Sequence, residues 1–268
     1  MASHPSCHSL VNLSLLSAAR NYREEMVCYL KGGDRFPTEV LDRLKNDAVV
    51  QHGPFSGMRY PYVTALPSRL LGTYESEIHK VIEAAITREP DLVVDIGCAE
   101  GYYAIGMATR LPKAHVFAFD INLDSQALCR KTAIANGVSD RVTIEGECNL
   151  ARLKSLIATA KHPLIISDCE GYEIHLFVPG SMDIFARADV LVELHEYVNP
   201  HIPLTICGAF AKTHVVTVVQ SVDDFAKPFN DRTPELSELG YGQKYDLLAE
   251  KRKMVMSWGW YQSKVDCS

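Results

Sequence analysis

Apolar positions follow a helical period in the first part of the chain and a mixture of strand and helix periods afterwards. They recur at helical spacing over residues 10–31, and the pattern predicts a second short helix after Pro37. Gly, Pro and aromatic residues crowd residues 50–66, which is typical of a loop with a short strand. The sequence therefore predicts an N-terminal helical extension, residues 1–65, and a main domain, residues 66–268.

From about residue 70 onward, short apolar runs alternate with longer helical patterns. The predicted strands span residues 91–97, 115–120, 141–147, 163–171, 188–196, 214–220 and 252–260. The predicted helices span residues 74–87, 101–111, 125–136, 149–160, 173–186 and 203–211. Strands that alternate with helices form a mostly parallel sheet covered on both faces. The expected fold class is therefore α/β, a doubly wound, mostly parallel seven-stranded sheet of Rossmann-like type.

Composition and charge narrow the function classes. The chain has 268 residues, of which 47% are hydrophobic, and a formal net charge of −6. Binding to phosphate backbones needs clustered Lys and Arg, so this acidic balance predicts no nucleic-acid partner. No run reaches the roughly 18 apolar residues of a spanning helix, so no membrane contact is expected. The 8 cysteines include no C-x-x-C pair, which indicates reduced thiols in the cytoplasm rather than a zinc site.

The turn "DIGCAEG", residues 95–101, follows an apolar strand and carries two glycines. It lacks the G-x-G-x-x-G spacing of a dinucleotide loop and the G-K-[ST] ending of a phosphate loop. Asp95 and Glu100 are unsuited to a pyrophosphate, but they suit a cofactor with an amino group and a sulfonium, such as S-adenosylmethionine. Asp120 ends the next strand, where an acid accepts hydrogen bonds from ribose hydroxyls.

Four segments, in this order, carry a family resemblance over roughly residues 70–220. "VVDIGCAEG" resembles motif I of class I S-adenosylmethionine-dependent methyltransferases, and "NGVSDRVTIEGE" resembles the segment that leads into their third strand. "SDCEGYEIHLF" and "ADVLVELHEY" resemble the D-x-E-G-x-E and E-x-H segments of the FkbM-like methyltransferases. The resemblance implies the methyltransferase variant of the Rossmann-like sheet, with S-adenosylmethionine as cofactor.

The resemblance also implies roles for single residues. Asp95, Gly97 and Gly101 would contact the methionine end of the cofactor, and Asp120 would contact the ribose. Glu147 and Cys148 would contact the adenine, and Asp168 would lie beside the transferable methyl. Cys98 and Ala99 complete the motif I turn, although Cys-Ala-Glu is not its commonest filling. Each acid also has a purely structural interpretation, in which Asp95 caps a helix, Asp120 forms a turn and Glu147 is solvated. The role of Glu100 stays open.

Candidate catalytic groups end two strands. We expect Asp168, Glu170, Glu193 and His195, with Glu196 beside them, to converge on one cleft. Three uses compete. In the first, His195 or Asp168 is a general base for a hydroxyl. In the second, the acids bind a cationic nitrogen of the substrate. In the third, Asp168, Glu193 and His195 bind a divalent cation. The cation is the least favoured of the three, since nothing in the sequence fixes the ligand spacing, and no metal is predicted.

These observations lead to one function hypothesis and several competitors. We expect methylation of a hydroxyl on a small-molecule metabolite, because FkbM-like enzymes suggest hydroxyl acceptors and the asparagine-proline-aromatic motif is missing at the fourth strand. The runner-up is nitrogen methylation of a guanidinium or amine, such as an arginine-like amino acid. A dinucleotide-dependent oxidoreductase and a non-catalytic cofactor-binding subunit represent other classes. The sequence leaves the oligomeric state open, although the N-terminal helices could pair two chains in a homodimer.

Three features outside the motifs have two interpretations each. Arg59, Tyr60 and Tyr62 form either a lid over the cleft or a packing segment. Trp258 and Trp260 either line the substrate pocket or pack in the core, and alternating strand positions favour packing. The polar insertion over residues 229–245 either shapes the substrate site or contacts a second chain.

Overall fold

The structure is a computed structural model that describes residues 38–61 and 66–265, so the predicted helix over residues 10–31 lies outside it. Its strands, in chain order, are β1 (Leu92–Ile96), β2 (His115–Phe119), β3 (Val142–Glu145), β4 (Pro163–Ser167), β5 (Asp189–Leu194), β6 (His214–Gln220) and β7 (Ser257–Ser263). Its helices are α1 (Thr38–Asp47), α2 (Pro67–Leu71), α3 (His79–Thr87), α4 (Tyr102–Arg110), α5 (Leu123–Ala135), α6 (Leu150–Ile157), α7 (Glu173–Leu176), α8 (Ile202–Phe210), α9 (Lys227–Asn230) and α10 (Tyr241–Leu248).

The strands form one sheet in the order β3-β2-β1-β4-β5-β7-β6. Strands β1 to β5 run parallel to one another, whereas β7 lies between β5 and β6 and is antiparallel to both. In this register Ile96 lies between Phe119 and Ser167, so β1, β2 and β4 end at one level. This sheet confirms the predicted fold class, and it gathers the residues after these strands at one edge.

The strands form because their side chains are buried on both faces of the sheet. Every residue of β1, β4 and β5 is buried, which is the pattern of parallel strands covered by helices. One hydrophobic core lies on each face. The described part of the predicted extension belongs to the first of these cores, because Leu44, Val50, Phe55 and Tyr60 all lie in it. Residues 38–61 therefore pack directly on the main domain.

Several predicted elements have different bounds in the structure; for example, the strand predicted over residues 163–171 ends at Ser167. The last strand begins at Ser257 rather than at residue 252, because residues 250–253 leave the sheet and line a cavity. The helix predicted over residues 173–186 ends at Leu176, and a 3-10 helix begins at Pro179, which has no N–H to continue an α-helix. Within the described residues, no helix is both long enough and apolar enough to cross a membrane.

Candidate functional site

A cavity of about 740 Å³ opens at the carboxyl ends of the parallel strands. Its lining includes the predicted residues Gly97, Ala99, Asp120, Glu147, Cys148, Asp168, Glu170, Glu193 and His195. Ligands of doubly wound sheets bind at this edge. The structure therefore brings the predicted cofactor and catalytic residues together, apart from Asp95, Cys98 and Gly101, which lie outside the lining.

The turn after β1 is hydrogen-bonded to the end of β2 and lies close against the end of β4. Gly97 and Cys98 donate backbone hydrogen bonds to the carbonyl of Phe119, and Ala99 N donates to Oδ2 of Asp120 at 2.9 Å. Gly97 has a φ of 87°, and a Cβ there would lie 1.8 Å from the carbonyl oxygen of Asp168. Only glycine fits this crossing of two strand ends, which explains the Gly of the motif.

Asp95 lies beneath the turn and not on the cavity. It is 2% exposed, and a hydrogen bond joins it to the backbone of Ala104 in α4. Burial raises the pKa of Asp95 to about 8, and the nearby Asp168 adds to the effect. This placement fits the helix-capping interpretation, so direct contact between Asp95 and the cofactor stays a prediction.

Glu100 pairs with an arginine that sequence reasoning missed. Nη1 of Arg69 donates to both carboxylate oxygens of Glu100, at 2.9 and 3.0 Å. The Arg69 guanidinium also lies 4.6 Å from the ring centroid of Tyr74, and both side chains line the cavity. Glu100 thus fastens α2 to the cofactor turn. No motif signals Arg69, which precedes Glu100 by 31 residues.

The predicted lid and the two tryptophans occupy packing positions. Tyr60 is buried edge-on against Tyr102, with ring centroids 5.7 Å apart, and Arg59 bonds Asn136 through its backbone. Neither lines the cavity, and Tyr62 lies outside the described residues. Trp258 and Trp260 belong to the core, as predicted.

The predicted polar insertion lies away from the cavity. Residues 229–245 hold parts of α9 and α10, and Leu236 between them is fully buried in the core. The chain reaches the cavity only afterwards, through residues 250–253 and Met256. Whether the insertion contacts a second chain stays a prediction.

Arg252 is the centre of a buried ion-pair cluster at one end of the cavity. Its guanidinium donates to Glu75, Glu193 and Glu250, with a distance of 2.8 Å from Nε to Oε2 of Glu250. The arginine side chain is only 10% exposed. Glu250 also accepts a hydrogen bond from the backbone N of Glu75 at 2.7 Å and pairs with Lys227. The cluster joins β5 to two segments that lie outside the parallel sheet.

His195 lies beside this cluster, with three carboxylates close to its ring and the exposed carboxylate of Glu170 at 3.9 Å from Nε2. Its Nε2 is 3.4 Å from Oδ1 of Asp168 and 3.2 Å from Oε2 of Glu193, and its Nδ1 is 2.9 Å from Oε1 of Glu173. Burial alone would lower the pKa of His195, but these contacts raise it to about 12. These contacts therefore favour the cationic form of the imidazole, and the role of His195 as a general base stays a prediction.

The two cavity carboxylates beside His195 respond differently to their surroundings. Burial and the nearby Glu193 raise the pKa of Asp168, although His195 opposes the effect. Burial would also raise the pKa of Glu193, but His195 and Arg252 hold it below its usual value. Along the described lining, carboxylates outnumber Lys and Arg side chains seven to four. The field in the cavity therefore favours a cationic ligand.

Comparisons with known proteins agree with this geometry. No protein-family model matches the chain. The chain is 29% identical over 110 residues to a tRNA1(Val) (adenine(37)-N6)-methyltransferase of Porphyromonas gingivalis. The matched segment covers 41% of this chain and 43% of that protein. It is also 42% identical over 50 residues to a release factor glutamine methyltransferase of Chlorobaculum tepidum. This second segment covers 19% of this chain and 17% of that protein. The chain thus spans less than half the length of the curated relatives that it matches.

A solved structure resembles the chain over most of its length. Cofactor-bound Rv0187 from MTB superposes with a TM-score of 0.50 at 12% identity, covering 91% of this chain and 96% of that one. This likeness, at 12% identity, concerns the fold alone. Together with the curated relatives, these comparisons show that the chain has the class I S-adenosylmethionine-dependent methyltransferase fold.

Proposed function

We propose that this protein is an S-adenosylmethionine-dependent methyltransferase that acts on a hydroxyl group of a small molecule. One observation carries the proposal. A single cavity joins the glycine turn and Asp120, at one end, to Asp168, Glu193 and His195 at the other. A methyl donor and its acceptor need such adjoining sites, because the reaction is a direct displacement between two aligned groups.

The cofactor end suits S-adenosylmethionine in both shape and charge. Asp120 accepts backbone hydrogen bonds from Ala99 and Asn122, and its carboxylate has further lone pairs for ribose hydroxyls. Ile121 lines the cavity and is 82% exposed, so it offers an apolar surface next to the residues that follow β3. The excess of carboxylates suits the sulfonium and the amino group of this cofactor.

The chemistry requires alignment and the removal of one proton. The acceptor oxygen forms a bond to the methyl carbon while the C–S bond breaks, and the electron pair of that bond stays on sulfur in S-adenosylhomocysteine. The hydroxyl proton passes to a carboxylate that lines the acceptor end. The carboxylates around His195 raise its pKa, which favours a carboxylate over His195 as the acceptor of this proton.

Nitrogen methylation of a guanidinium or amine is the second candidate. The excess of carboxylates over Lys and Arg along the cavity favours it. The predicted absence of a nucleic-acid partner also stays a prediction, since a curated relative is named as a tRNA methyltransferase. Incubation with labelled S-adenosylmethionine and three pools (hydroxylated metabolites, amines and guanidines, and tRNA) separates these acceptors by which pool becomes labelled.

Calorimetric titration with S-adenosylhomocysteine tests the cofactor assignment. We expect the wild-type chain to bind it and Asp120→Ala to bind at least about tenfold more weakly, because charge-assisted hydrogen bonds are lost. Asp140→Ala is the matched control, since Asp140 is an exposed acid far from the cavity lining. No binding by the wild-type chain would overturn the proposal, and so would a melting temperature raised by NAD but not by S-adenosylhomocysteine.

A further inference from the structure

The geometry points to a divalent-cation site formed by Asp168, Glu193 and His195. One ligand atom from each of these residues lies within 4.8 Å of the other two. The inference rests on the proposed function, because the cation would hold the acceptor oxygen against the transferable methyl. The sequence predicts no metal, since strand ends on separate segments do not reveal how far apart their side chains lie.

The distances match adjacent positions around one cation. Nε2 of His195 lies 3.4 Å from Oδ1 of Asp168 and 3.2 Å from Oε2 of Glu193. Ligands about 2.1 Å from an octahedral cation lie roughly 3 Å from their neighbours. Small adjustments would therefore allow all three atoms to contact one ion.

Two neighbouring groups orient these ligands from behind. Oε1 of Glu173 lies 2.9 Å from Nδ1 of His195, so Nε2 faces the two carboxylates. Metal-binding histidines commonly carry such a carboxylate on the other ring nitrogen. Arg252 bonds Oε1 of Glu193, which leaves Oε2 of that carboxylate directed at His195.

The charges around the site call for an additional cation. Glu75, Glu173, Glu193 and Glu250 are buried, and Asp168 lines the same cavity. Among the described residues, the buried Lys and Arg side chains that pair with these acids are Arg252 and Lys227. Buried charge that lacks a partner is costly. A divalent cation bound by Asp168, Glu193 and the neutral imidazole of His195 would supply such a partner.

The donor set indicates the kind of cation and its task. Two carboxylate oxygens and one imidazole nitrogen suit Mn²⁺, with Mg²⁺ as the harder alternative. Glu193 and His195 are buried, whereas the Asp168 side chain is 28% exposed towards the cavity. The remaining coordination positions would face this open side. A hydroxyl acceptor bound there is both oriented and made more acidic by the cation.

Direct binding measurements test the site without any acceptor. The full chain is treated with EDTA, dialysed, and titrated with Mn²⁺ while the free ion is followed by electron paramagnetic resonance. We expect one Mn²⁺ site per chain that Mg²⁺ displaces. Asp168→Asn, Glu193→Gln and His195→Asn should each weaken Mn²⁺ binding by at least about tenfold, and Glu173→Gln by about tenfold through the orientation of His195.

Glu147→Gln is the matched control, because it removes a carboxylate from the opposite end of the same cavity. Its Mn²⁺ affinity should stay within about twofold of the wild type. Urea unfolding of every variant identifies any that do not fold. The Mn²⁺ titration of the wild-type chain tests the site even if such variants are left out. An equal loss in Glu147→Gln and the ligand variants would show diffuse attraction and overturn the site.

The proposed function and the proposed cation site are tested independently, because each can fail without the other. A chelated chain that binds S-adenosylhomocysteine but neither Mn²⁺ nor Mg²⁺ overturns the cation site and leaves the methyltransferase proposal standing. A chain that binds Mn²⁺ through Asp168, Glu193 and His195 but does not bind S-adenosylhomocysteine overturns the proposed function and supports the cation site. Methyl transfer that is lost with EDTA and restored by Mn²⁺ supports both.

Discussion

The two ends of the cavity are built in different ways. The cofactor end consists of residues 97–99, 120–121 and 146–148, which directly follow three neighbouring strands and are fixed largely by backbone hydrogen bonds. The acceptor end combines Glu75, Asp168, Glu193, His195 and Arg252, which come from segments far apart in the chain and meet through charged side chains. The first end depends on local backbone geometry, and the second depends on the fold being complete.

The largest expected effect comes from removing the centre of the acceptor end. Arg252→Met leaves Glu75, Glu193 and Glu250 without their shared cation, and stranding buried charge costs about 3–5 kcal/mol of unfolding free energy. Urea denaturation measures the loss. The folded fraction should still bind S-adenosylhomocysteine with an affinity near that of the wild type, because the cofactor end does not use Arg252.

Arg152→Met is the control for this experiment, since Arg152 pairs with Glu145 while 37% exposed. An exposed pair of this kind contributes roughly 0–1 kcal/mol. If both variants lost the same stability, the Arg252 cluster would not be a buried anchor of the fold. A matching loss of cofactor affinity in Arg252→Met would show that the two ends are not independent.

A smaller effect is expected where the two ends touch. Gly97→Ala places a Cβ 1.8 Å from the carbonyl oxygen of Asp168 at a φ of 87°. We expect about 2–3 kcal/mol of lost stability from strain and displacement, together with weaker binding of S-adenosylhomocysteine. Urea unfolding and calorimetry measure the two effects.

Gly57→Ala separates backbone strain from the clash, because Gly57 has a φ of 88° with nothing within 4 Å of the added Cβ. It should lose only about 1 kcal/mol and keep its cofactor affinity. Equal losses in the two variants would mean that φ alone, and not the contact with Asp168, requires glycine in the motif.

The smallest effect concerns Glu100, whose role the sequence leaves open. Glu100→Gln weakens the pair with Arg69, in which both side chains are less than one-fifth exposed, and should cost up to about 1 kcal/mol in urea unfolding. Cofactor affinity should change little. Glu83→Gln breaks the more exposed pair with Arg110 and should cost less. A tenfold or greater loss of S-adenosylhomocysteine affinity in Glu100→Gln would instead place Glu100 on the cofactor.

Sequence periodicity predicts most of the fold because local patterns carry that information. Every residue of β1, β4 and β5 is buried, and apolar runs in the sequence predict this burial. The pattern after Pro37 predicts a helix, and α1 occupies Thr38–Asp47. The predicted last strand begins too early because the apolar residues 254–256 join the pattern of the strand, although Arg252 before them turns to an ion-pair cluster.

The sequence by itself determined the alternating sheet, the glycine turn after β1 and the acids at the strand ends, since spacing along the chain sets periods and turns. Only the tertiary structure decided which of those acids meet. Arg252 lies 59 residues from Glu193 and 177 from Glu75, and Arg69 lies 31 residues from Glu100. The order of the strands and the position of β7 between β5 and β6 bring these groups together, and a local sequence pattern predicts neither. The raised pKa of His195 and the excess of carboxylates along the cavity likewise depend on contacts that only the fold creates.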